Sequence, residues 1–376
     1  MRFGWQWWWG ALLGMGLSFS WAEPVFEPLF DGISLASSGW INVSTDESTW
    51  EFAEDGTLRC SGVPIGEIRT REMLQNFVLE LEWRHLVPKG NAGIFLWADD
   101  LPATGRPFHR GIEVQILENA YGNTQRYTTH GDIFPIHGAR MTPTYPRGKG
   151  ARSFPTEFRS RPAPEWNHYR ITANQGTVSL EVNGMKVNEG TQCVPSKGYL
   201  CLESEGGEVE YRGVRIQKLP DTPVAKEDVA IQDRGYTCLY RGVTLKEWWS
   251  EAKQSWEADD WILRNGEVPA PLISRQSWGT PMDFLMDLRW EEHPSEVPAT
   301  ILAPNGCEIS ILPDWLGDRG AWNRVEGAVQ SDGTVQVLVN GMPKALVDGG
   351  RHGGTGPLVL KPVVAMEWAN LFVRKR

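Results

Sequence analysis

The feature that most limits how this chain can fold is an internal repeat. Residues 164–190 read PEWNHYRITANQGTVSLEVNGMKVNEG, and residues 320–350 read GAWNRVEGAVQSDGTVQVLVNGMPKALVDGG. Both segments carry WN, GTV and VNGM in the same order, with strand-like stretches between them. The Gly and Asn residues of these motifs tolerate positive φ angles and are typical of tight hairpin turns. Each segment therefore predicts short antiparallel strands joined by hairpins.

Two further pairs of segments repeat along the chain. EPLFDGISL (27–35) resembles TCLYRGVTL (237–245), and GIEVQIL (111–117) resembles GCEISIL (306–312). All the matching segments occur in the same order in the two halves. We therefore predict two copies of one all-β domain.

The predicted organisation has four parts. We assign residues 1–22 to a signal peptide, 23–219 to the first domain, 220–233 to a linker, and 234–376 to a second, degenerate domain of the same type. The linker is polar and contains prolines, as segments between domains usually do.

Within the first copy, many stretches alternate between apolar and polar residues with a period of two. NFVLELEWRHL, AGIFLWA and VSLEVNG are examples, and no helical pattern separates them. Short strands at regular spacing predict a β-sandwich or jelly roll. The segment 119–164 lacks this alternation, and a loop of that length in a compact domain is usually functional or disordered.

The N-terminus resembles a secretory signal. MRFGWQWWWGALLGMGLSFSWA has a basic Arg2, an apolar run, and Ser20 and Ala22 at a small-residue cleavage site. An uncleaved anchor is the alternative. No later stretch is long and apolar enough to span a bilayer. We therefore expect an exported protein, periplasmic or extracellular, with no stable membrane span after signal cleavage.

The overall charge argues against a nucleic-acid partner. The formal net charge is −10 and the pI is about 5.3, whereas nucleic-acid binding relies on contacts between cations and phosphates. One local exception is the basic stretch 140–161, which contains Arg140, Arg147, Lys149, Arg152, Arg159 and Arg161. This stretch could bind an anion or form a solvated lid.

The chain has five cysteines, and none of them forms a CxxC pair. This spacing argues against a zinc site built on cysteine pairs. An exported protein could contain one disulfide, for which Cys193 and Cys201 are the nearest pair in sequence. Otherwise we expect the cysteines to be small buried hydrophobes.

Three groups of polar residues could carry chemistry. In GIEVQILE (111–118), Glu113 and Gln115 share the strand face opposite Ile112, Val114 and Ile116, and Glu118 ends the strand. A second pair, Glu203 and Glu205, shares one face of a later strand. The third group is His130, Asp132 and His137 in the long loop, which could bind a metal or act as acid and base. Ordinary solvated polarity is the alternative for each group.

The repeat helps to decide between these alternatives. Glu113 has a counterpart in Glu308, but Gln115 becomes Ser310 and Glu118 becomes Pro313. The second copy has no carboxylates that match Glu203 and Glu205, and it lacks the histidine-containing loop. Because the apolar skeleton persists while these polar groups do not, we predict a functional site in the first copy alone.

Several motifs of the first copy resemble the 3-keto-disaccharide hydrolase domain family. They are LFDGISL, NAGIFLWA, GIEVQILE, HGDIF, EWNHYRI and GYLCLESEGGEVEYRGVRI. The resemblance covers residues 25–219 closely and residues 236–376 only as a skeleton. It implies tandem concanavalin-like jelly-roll β-sandwiches and an exported hydrolase of glycosides oxidised at C3.

The resemblance also implies which residues form the site. We assign catalytic roles to Glu113, Gln115, His130 and Asp132, and substrate binding to Asn91, Trp97, Arg110, Glu118, His137, Glu203 and Glu205. Two positions depart from the family pattern: Ala92 replaces a small polar residue, and Glu205 stands where many members have His. A divalent cation such as Ca²⁺ is left open.

The implied reaction begins with abstraction of the C2 proton, which the neighbouring 3-keto group acidifies, followed by elimination and hydration. The expected partner is an oligosaccharide or an oxidised disaccharide. One alternative is a carbohydrate-binding module in which Trp83, Trp97 and Trp166 stack on sugars, although tryptophan in a sandwich usually packs in the core. A structural envelope protein is another alternative.

Overall fold

The computed structural model describes Met1 and residues 25–122, 124, 126–127, 130–290, 297–318 and 320–376. The predicted signal peptide lies outside the described residues, apart from Met1. Within the described ranges the helices are short 3₁₀ turns, at Glu47–Thr49, Asn119–Tyr121, Lys226–Asp228, Lys253–Ser255 and Pro313–Trp315. None of these helices has the length and hydropathy needed to cross a membrane.

Antiparallel strands account for nearly all the regular structure. The strands of the first half are β1 Glu27–Pro28, β2 Trp40–Asn42, β3 Trp50–Phe52, β4 Leu58–Cys60, β5 Gly66–Thr70, β6 Phe77–His85, β7 Asn91–Ala98, β8 Gly111–Leu117, β9 His130–Ile136, β10 Arg140–Pro143, β11 Asn167–Asn174, β12 Thr177–Val182, β13 Met185–Val194, β14 Tyr199–Ser204 and β15 Val209–Lys218. Those of the second half are β16 Thr237–Cys238, β17 Trp248–Trp249, β18 Trp256–Asp259, β19 Ile262–Asn265, β20 Leu272–Gly279, β21 Met282–Arg289, β22 Ala299–Leu302, β23 Glu308–Ile311, β24 Asn323–Val329, β25 Val335–Val339, β26 Met342–Val347, β27 Thr355–Pro362 and β28 Met366–Lys375.

The strands form two sandwiches with matching topology. In the first, a sheet ordered β10-β13-β12-β11-β6-β15-β4-β3, with β1 beside β15, packs on an inner sheet ordered β2-β5-β14-β7-β8-β9. In the second, β26-β25-β24-β21-β28-β19-β18, with β16 beside β28, packs on β17-β20-β27-β22-β23. The orders correspond strand by strand, and among the described residues only counterparts of β9 and β10 are missing from the second sandwich. The predicted tandem all-β jelly rolls are confirmed.

Each sandwich has its own apolar core between its sheets. Ile112, Val114 and Ile116 of β8 are fully buried in the first core, and Ile309 and Ile311 of β23 occupy the same place in the second. The alternation of the sequence therefore assigned the core face of this strand correctly. Burial of such branched side chains stabilises each sandwich by about 1.5–3 kcal/mol per residue.

All five cysteines are buried free thiols. Cys193 of β13 lies in the first core, whereas Cys201 of β14 lies in a separate apolar cluster with Phe95 and Tyr199. The structure therefore has no disulfide between Cys193 and Cys201.

The two sandwiches meet through a loop of the first one, residues 99–110. The carboxylate of Asp287, which is fully buried in the second sandwich, accepts a hydrogen bond from the backbone N–H of Gly105 at 2.8 Å. It also accepts from Arg324 at 2.7 and 2.9 Å and from Asn370 at 2.7 Å. Arg324 and Asn370 in turn donate to backbone carbonyls of the loop. The second sandwich thus holds the loop in place.

The predicted linker is hydrogen-bonded to the first sandwich. Asp99 accepts from the backbone N–H of Ile231 at 2.8 Å, and Arg234 pairs with Asp100 through two bonds of 2.9 and 3.0 Å. Val229 also forms a parallel bridge with Lys197. The contacts of Asp99 and Asp100 attach the connecting segment at the same loop that Asp287 holds.

We expect Asp287→Ala to destabilise the protein by about 3–5 kcal/mol, because it leaves the buried end of Arg324 without its charge partner. Thermal unfolding followed by circular dichroism measures the effect. Asp314→Ala removes the same charge from an exposed position of the same sandwich and serves as the control. Equal melting temperatures for the two variants would contradict this role for Asp287.

Candidate functional site

The polar face of the first inner sheet gathers carboxylates from neighbouring strands. Glu203 of β14 pairs with Glu67 of β5, Gly93 of β7 pairs with Gln115 of β8, and Glu113 pairs with Phe95. Because alternate residues of a strand share one face, these side chains project away from the core. Glu113, Gln115 and Glu203 therefore converge around Gly93.

Gly93 makes this convergence possible. A Cβ atom at position 93 would lie 2.8 Å from Oε2 of Glu203 and 2.9 Å from Oε1 of Glu113. Both distances are below van der Waals contact, so a side chain there would force the carboxylates to move. We call Glu113, Glu203 and Glu205 the acidic cluster.

Burial and mutual repulsion keep protons on the acidic cluster. The pKa of Glu113 is raised well above its usual value, first by burial and then by the Glu205 carboxylate. Glu203 has a raised pKa for the same reasons, with Glu113 adding to the effect. Burial raises the pKa of the half-buried Glu205 to about 7. Close carboxylates cannot all ionise together, so the three share protons near neutral pH.

Two side-chain amides connect the acidic cluster to the next strand. Asn91 donates a hydrogen bond to Oε2 of Glu205, and Gln115 donates to the amide oxygen of Asn91 at 2.9 Å. The oxygen of Gln115 lies 3.5 Å from Nη1 of Arg152. The predicted residues Asn91, Glu113, Gln115, Glu203 and Glu205 therefore belong to one network.

Arg152 supplies a cation at the edge of this network. It donates to Oδ2 of Asp132 at 2.8 Å, and its guanidinium lies 3.4 Å from the ring centre of Phe134. Asp132 is fully buried and joins the network through this ion pair. The sequence showed Arg152 only as one member of a basic stretch, so its specific role was missed.

One aromatic residue near the acidic cluster was also missed. The pKa of Tyr121 is raised, first by burial and then by the charge of the Glu205 carboxylate. Its side chain is 38% exposed. Tyr121 follows Glu118 in the 3₁₀ turn, where no periodic pattern could have indicated its position.

Two predicted site residues, His130 and Trp97, point into the apolar core and not toward the polar face of the sheet. His130 pairs with Ile116, donates a hydrogen bond from Nδ1 to the carbonyl oxygen of Leu117 at 3.1 Å, and packs against Trp83 in the core. Trp97 is fully buried in the same core, and its indole N–H donates to the carbonyl of Gln75. Neither side chain joins the acidic cluster, so the expectation that they act there is wrong.

Two other predicted residues, Glu118 and Arg110, have local structural contacts instead. Glu118 caps the 3₁₀ turn at Asn119–Tyr121 and accepts from the backbone N–H groups of Lys89, Ala120 and Ala163. Arg110 forms a two-bond pair with Asp99 at 2.9 and 3.1 Å.

His137 follows the end of β9 that pairs with Gly111. Burial and, to a lesser extent, the charge of Arg106 lower its pKa to about 4. The pairing of Ile136 with Gly111 places this end of β9 next to the 99–110 loop.

The tryptophans do not form a sugar-stacking platform on the polar face. Trp83 is buried in the core beside Tyr169. Trp166 lies between the guanidinium groups of Arg84 and Arg212, at 4.5 and 4.0 Å from its ring centre. Both arginines belong to the sheet opposite the acidic cluster. None of Trp83, Trp97 and Trp166 therefore lies on the polar face, where a tryptophan-based binding module would need them.

The second sandwich shows the same positions without the acidic cluster. Register places Thr300 where the first sandwich has Gly93, since Thr300 pairs with both Ser310 and Lys361. Lys361 takes the position of Glu203 and forms an ion pair with Glu308, whose side chain is 61% exposed. In the second sandwich, a threonine therefore replaces Gly93 and a lysine replaces Glu203. The remaining glutamate, Glu308, is exposed to solvent, whereas Glu113 is buried.

A Ca²⁺ site takes six to eight oxygen ligands from carboxylates, carbonyls and water. Among the described residues, the one group of three or more His, Cys, Asp or Glu side chains with ligand atoms within 4.8 Å of each other is Glu67, His109 and Cys201. The carboxylates of the acidic cluster do not form such a group, so their geometry gives no support to a Ca²⁺ site there.

The fold and the acidic polar face define a jelly-roll protein with a carboxylate site in its first sandwich. Residues 25–217, just over half of the chain, match the 3-keto-alpha-glucoside-1,2-lyase-like domain. The chain belongs to this family, and the first sandwich is a carbohydrate-active domain. No curated protein sequence matches the chain.

Solved structures with a similar fold include carbohydrate-active proteins. A candidate glycosyl hydrolase from Parabacteroides distasonis is 21% identical, covers 52% of this chain and 94% of its own, and has a TM-score of 0.40. The β-glucanase of Bacillus licheniformis is 15% identical, covers 52% of this chain and 98% of its own, and has a TM-score of 0.35. The carbohydrate-binding module CBM66 of Bacillus subtilis is 14% identical, covers 48% of this chain and 96% of its own, and has a TM-score of 0.34. Each neighbour covers about half of the chain, and at these values the likeness carries no conclusion about chemistry.

The raised pKa values make a prediction about stability. Between the ordinary glutamate pKa of about 4.5 and the raised values, the folded chain binds more protons than the unfolded chain, so stability falls as pH rises. Glu113→Gln removes one titrating group and keeps the shape. We expect its free energy of unfolding to exceed that of the wild type by about 1–3 kcal/mol at pH 8 and to depend less on pH.

Urea unfolding of both proteins between pH 5 and pH 8 tests this expectation. Glu308→Gln changes the equivalent, exposed position of the second sandwich and is the matched control. Its curve should run parallel to that of the wild type. A Glu113→Gln curve that is also parallel to the wild type would contradict the raised pKa of Glu113.

Proposed function

We propose that the first sandwich cleaves glycosides that carry a ketone at C3, by elimination across C1 and C2 followed by hydration. The observation that carries the proposal is the half-buried Glu205, with a pKa of about 7, in a network with buried carboxylates and Arg152. Membership of the 3-keto-alpha-glucoside-1,2-lyase-like family supports the choice of substrate and of the bond that breaks.

The proposed elimination begins at C2, where the neighbouring ketone acidifies the C–H bond. A base removes the C2 proton, and the electron pair of that bond forms an enolate with its negative charge on the C3 oxygen. The enolate then re-forms the ketone and a C1=C2 double bond, while the C1–O bond breaks. The leaving oxygen takes a proton from an acid. Water then adds its oxygen to C1 and a proton to C2, which gives a free 3-keto sugar.

We assign the base to Glu205. A general base acts best when its pKa lies near the working pH, and Glu205 is the member of the acidic cluster whose pKa is raised only to about 7. It is also the most accessible of the three, since Glu113 and Glu203 are 6% and 1% exposed. This assignment replaces the expectation that Glu205 only binds the substrate.

We assign the acid to Glu113 and the stabilisation of the enolate to Arg152. The raised pKa keeps Glu113 protonated near neutral pH, so it can give its proton to the leaving oxygen. The guanidinium of Arg152, fixed by Asp132 and by the ring of Phe134, is a cation at the edge of the network, 3.5 Å from the oxygen of Gln115. A fixed cation beside a developing oxyanion lowers the barrier, because it needs no rearrangement during the reaction. Gln115 orients the sugar hydroxyls.

Glu205→Gln tests the assignment of the base. We expect turnover of a 3-keto-glucoside such as 3-keto-trehalose to fall by about 10²–10⁴-fold, the usual contribution of general acid–base catalysis. In the wild type, turnover should rise with pH to a plateau above about 7, as Glu205 becomes ionised. Glu208→Gln removes an exposed carboxylate close by in the chain and should keep wild-type turnover.

The same assay in D₂O distinguishes elimination from direct hydrolysis. Elimination and hydration place a solvent deuterium at C2 of the product, whereas direct hydrolysis retains the original C2 proton; mass spectrometry reads the difference, with a sample lacking enzyme as the blank for spontaneous exchange. Product without deuterium would overturn the mechanism. The absence of any product from 3-keto substrates would overturn the proposed activity.

We also propose that the protein is exported, on the basis of the N-terminal signal pattern in the sequence. Expression of the full chain in a bacterial host should release a mature protein that begins at Glu23, and intact-mass measurement of the periplasmic fraction checks this. Retention of residues 1–22 in the membrane fraction would support the uncleaved anchor instead. A full-length soluble protein in the cytosolic fraction would contradict export.

A further inference from the structure

A second polar group lies on the same sheet face, next to the acidic cluster. Glu67 of β5 is the cross-strand neighbour of Glu203, Cys201 lies two residues earlier on β14, and His109 comes from the end of the 99–110 loop. The side chains of Glu67 and His109 and the whole of Cys201 are fully buried. One ligand atom from each lies within 4.8 Å of the other two.

Two polar atoms of this group have no partner among the described residues. One oxygen of Glu67 accepts from the backbone N–H of His109 at 3.1 Å and also contacts Nδ1 of the same residue. The other oxygen of Glu67 and Nε2 of His109 have no hydrogen bond. Burying an unpaired polar atom costs several kcal/mol, and neighbouring Phe95 and Tyr199 are apolar. Within the described part of the chain, no hydrogen bond to Oε1 of Glu67 or Nε2 of His109 offsets this cost.

We propose that Glu67, His109 and Cys201 bind a divalent transition-metal ion of the Zn²⁺ class. Imidazole nitrogen, thiolate sulfur and carboxylate oxygen are the ligands that Zn²⁺ takes in proteins. A carboxylate, a thiolate and a neutral imidazole together carry two negative charges, so they neutralise a divalent ion. A neutral set is the arrangement that full burial requires. The nitrogen and sulfur ligands disfavour Ca²⁺ and Mg²⁺, which select oxygen.

A metal takes these ligands as carboxylate, thiolate and neutral imidazole, so binding the ion would release the proton of the Cys201 thiol.

The site would connect the inner sheet of the first sandwich to the 99–110 loop, which contacts the second sandwich. Asp287 of the second sandwich holds the loop at Gly105, four residues before His109. In the second sandwich itself, register puts Val359 at the position of Cys201, because Leu360 pairs with Leu272 as Leu202 pairs with Ile68. The second sandwich therefore has no thiol at this position, and the site belongs to the first sandwich alone.

Metal analysis of the full chain, purified without a polyhistidine tag, tests the proposal. We expect about one Zn²⁺ per chain by plasma mass spectrometry. Replacement by Co²⁺ should give a near-ultraviolet charge-transfer band from a thiolate ligand. Cys201→Ser should lose both the metal and the band, and Cys193→Ser, which changes another buried cysteine of the same sandwich, should keep both.

The outcomes do not depend on enzymatic activity, so they separate this site from the proposed function. A wild-type protein that binds no Zn²⁺ or Co²⁺ after dialysis against either ion would overturn the proposal. A Co²⁺ complex of the wild-type protein without a thiolate band would also overturn it. This measurement does not depend on the folding of any variant. Equal metal content in Cys201→Ser and the wild type would also overturn it.

Discussion

The acidic cluster depends on the absence of a side chain at Gly93. Because β7 offers no Cβ there, Glu113 from β8 and Glu203 from β14 can lie side by side across it. Their proximity and their burial act in the same direction, since both disfavour the ionised carboxylates. In the proposed mechanism, this sharing of protons allows Glu113 to donate while the more exposed Glu205 accepts. A chemical property of the site thus follows from the smallest residue in the sheet.

The second sandwich shows that the fold does not need this arrangement. Its inner sheet has the same strand order as that of the first sandwich, ending at β23, the counterpart of β8. Ile309 and Ile311 of β23 are buried in its core, as the matching residues of β8 are in the first. At the position of Gly93 it has Thr300, and a lysine neutralises Glu308 in a solvent-exposed pair. The buried carboxylates therefore oppose folding in the first sandwich. Their retention there is better explained by chemistry than by stability, because the apolar core already specifies the sheets.

The sequence predicted most of the fold because alternation and the repeat are local patterns. The same alternation placed Glu113 and Gln115 correctly, but it failed for Trp97. His130 lies in a segment without alternation, for which the sequence predicted a loop and the structure has strand β9. Two residues of β9 oppose Gln115, and two residues of β7 oppose Leu200, so each strand contains a bulge. A bulge shifts the following side chains to the other face, and sequence alternation alone cannot show where one occurs.

The loop residues of the site were beyond prediction for a different reason. Arg152 reaches Asp132 from the long segment after β10, and His109 reaches Glu67 from the loop between β7 and β8. Neither residue lies in a strand, so no period fixes the direction of its side chain. Both loops are positioned by contacts distant in sequence, including the hydrogen bond from Gly105 to Asp287. The strands supply the acids of the site, while its cation comes from a loop. Differences in catalysis among proteins with this sheet should therefore arise mainly in these loops.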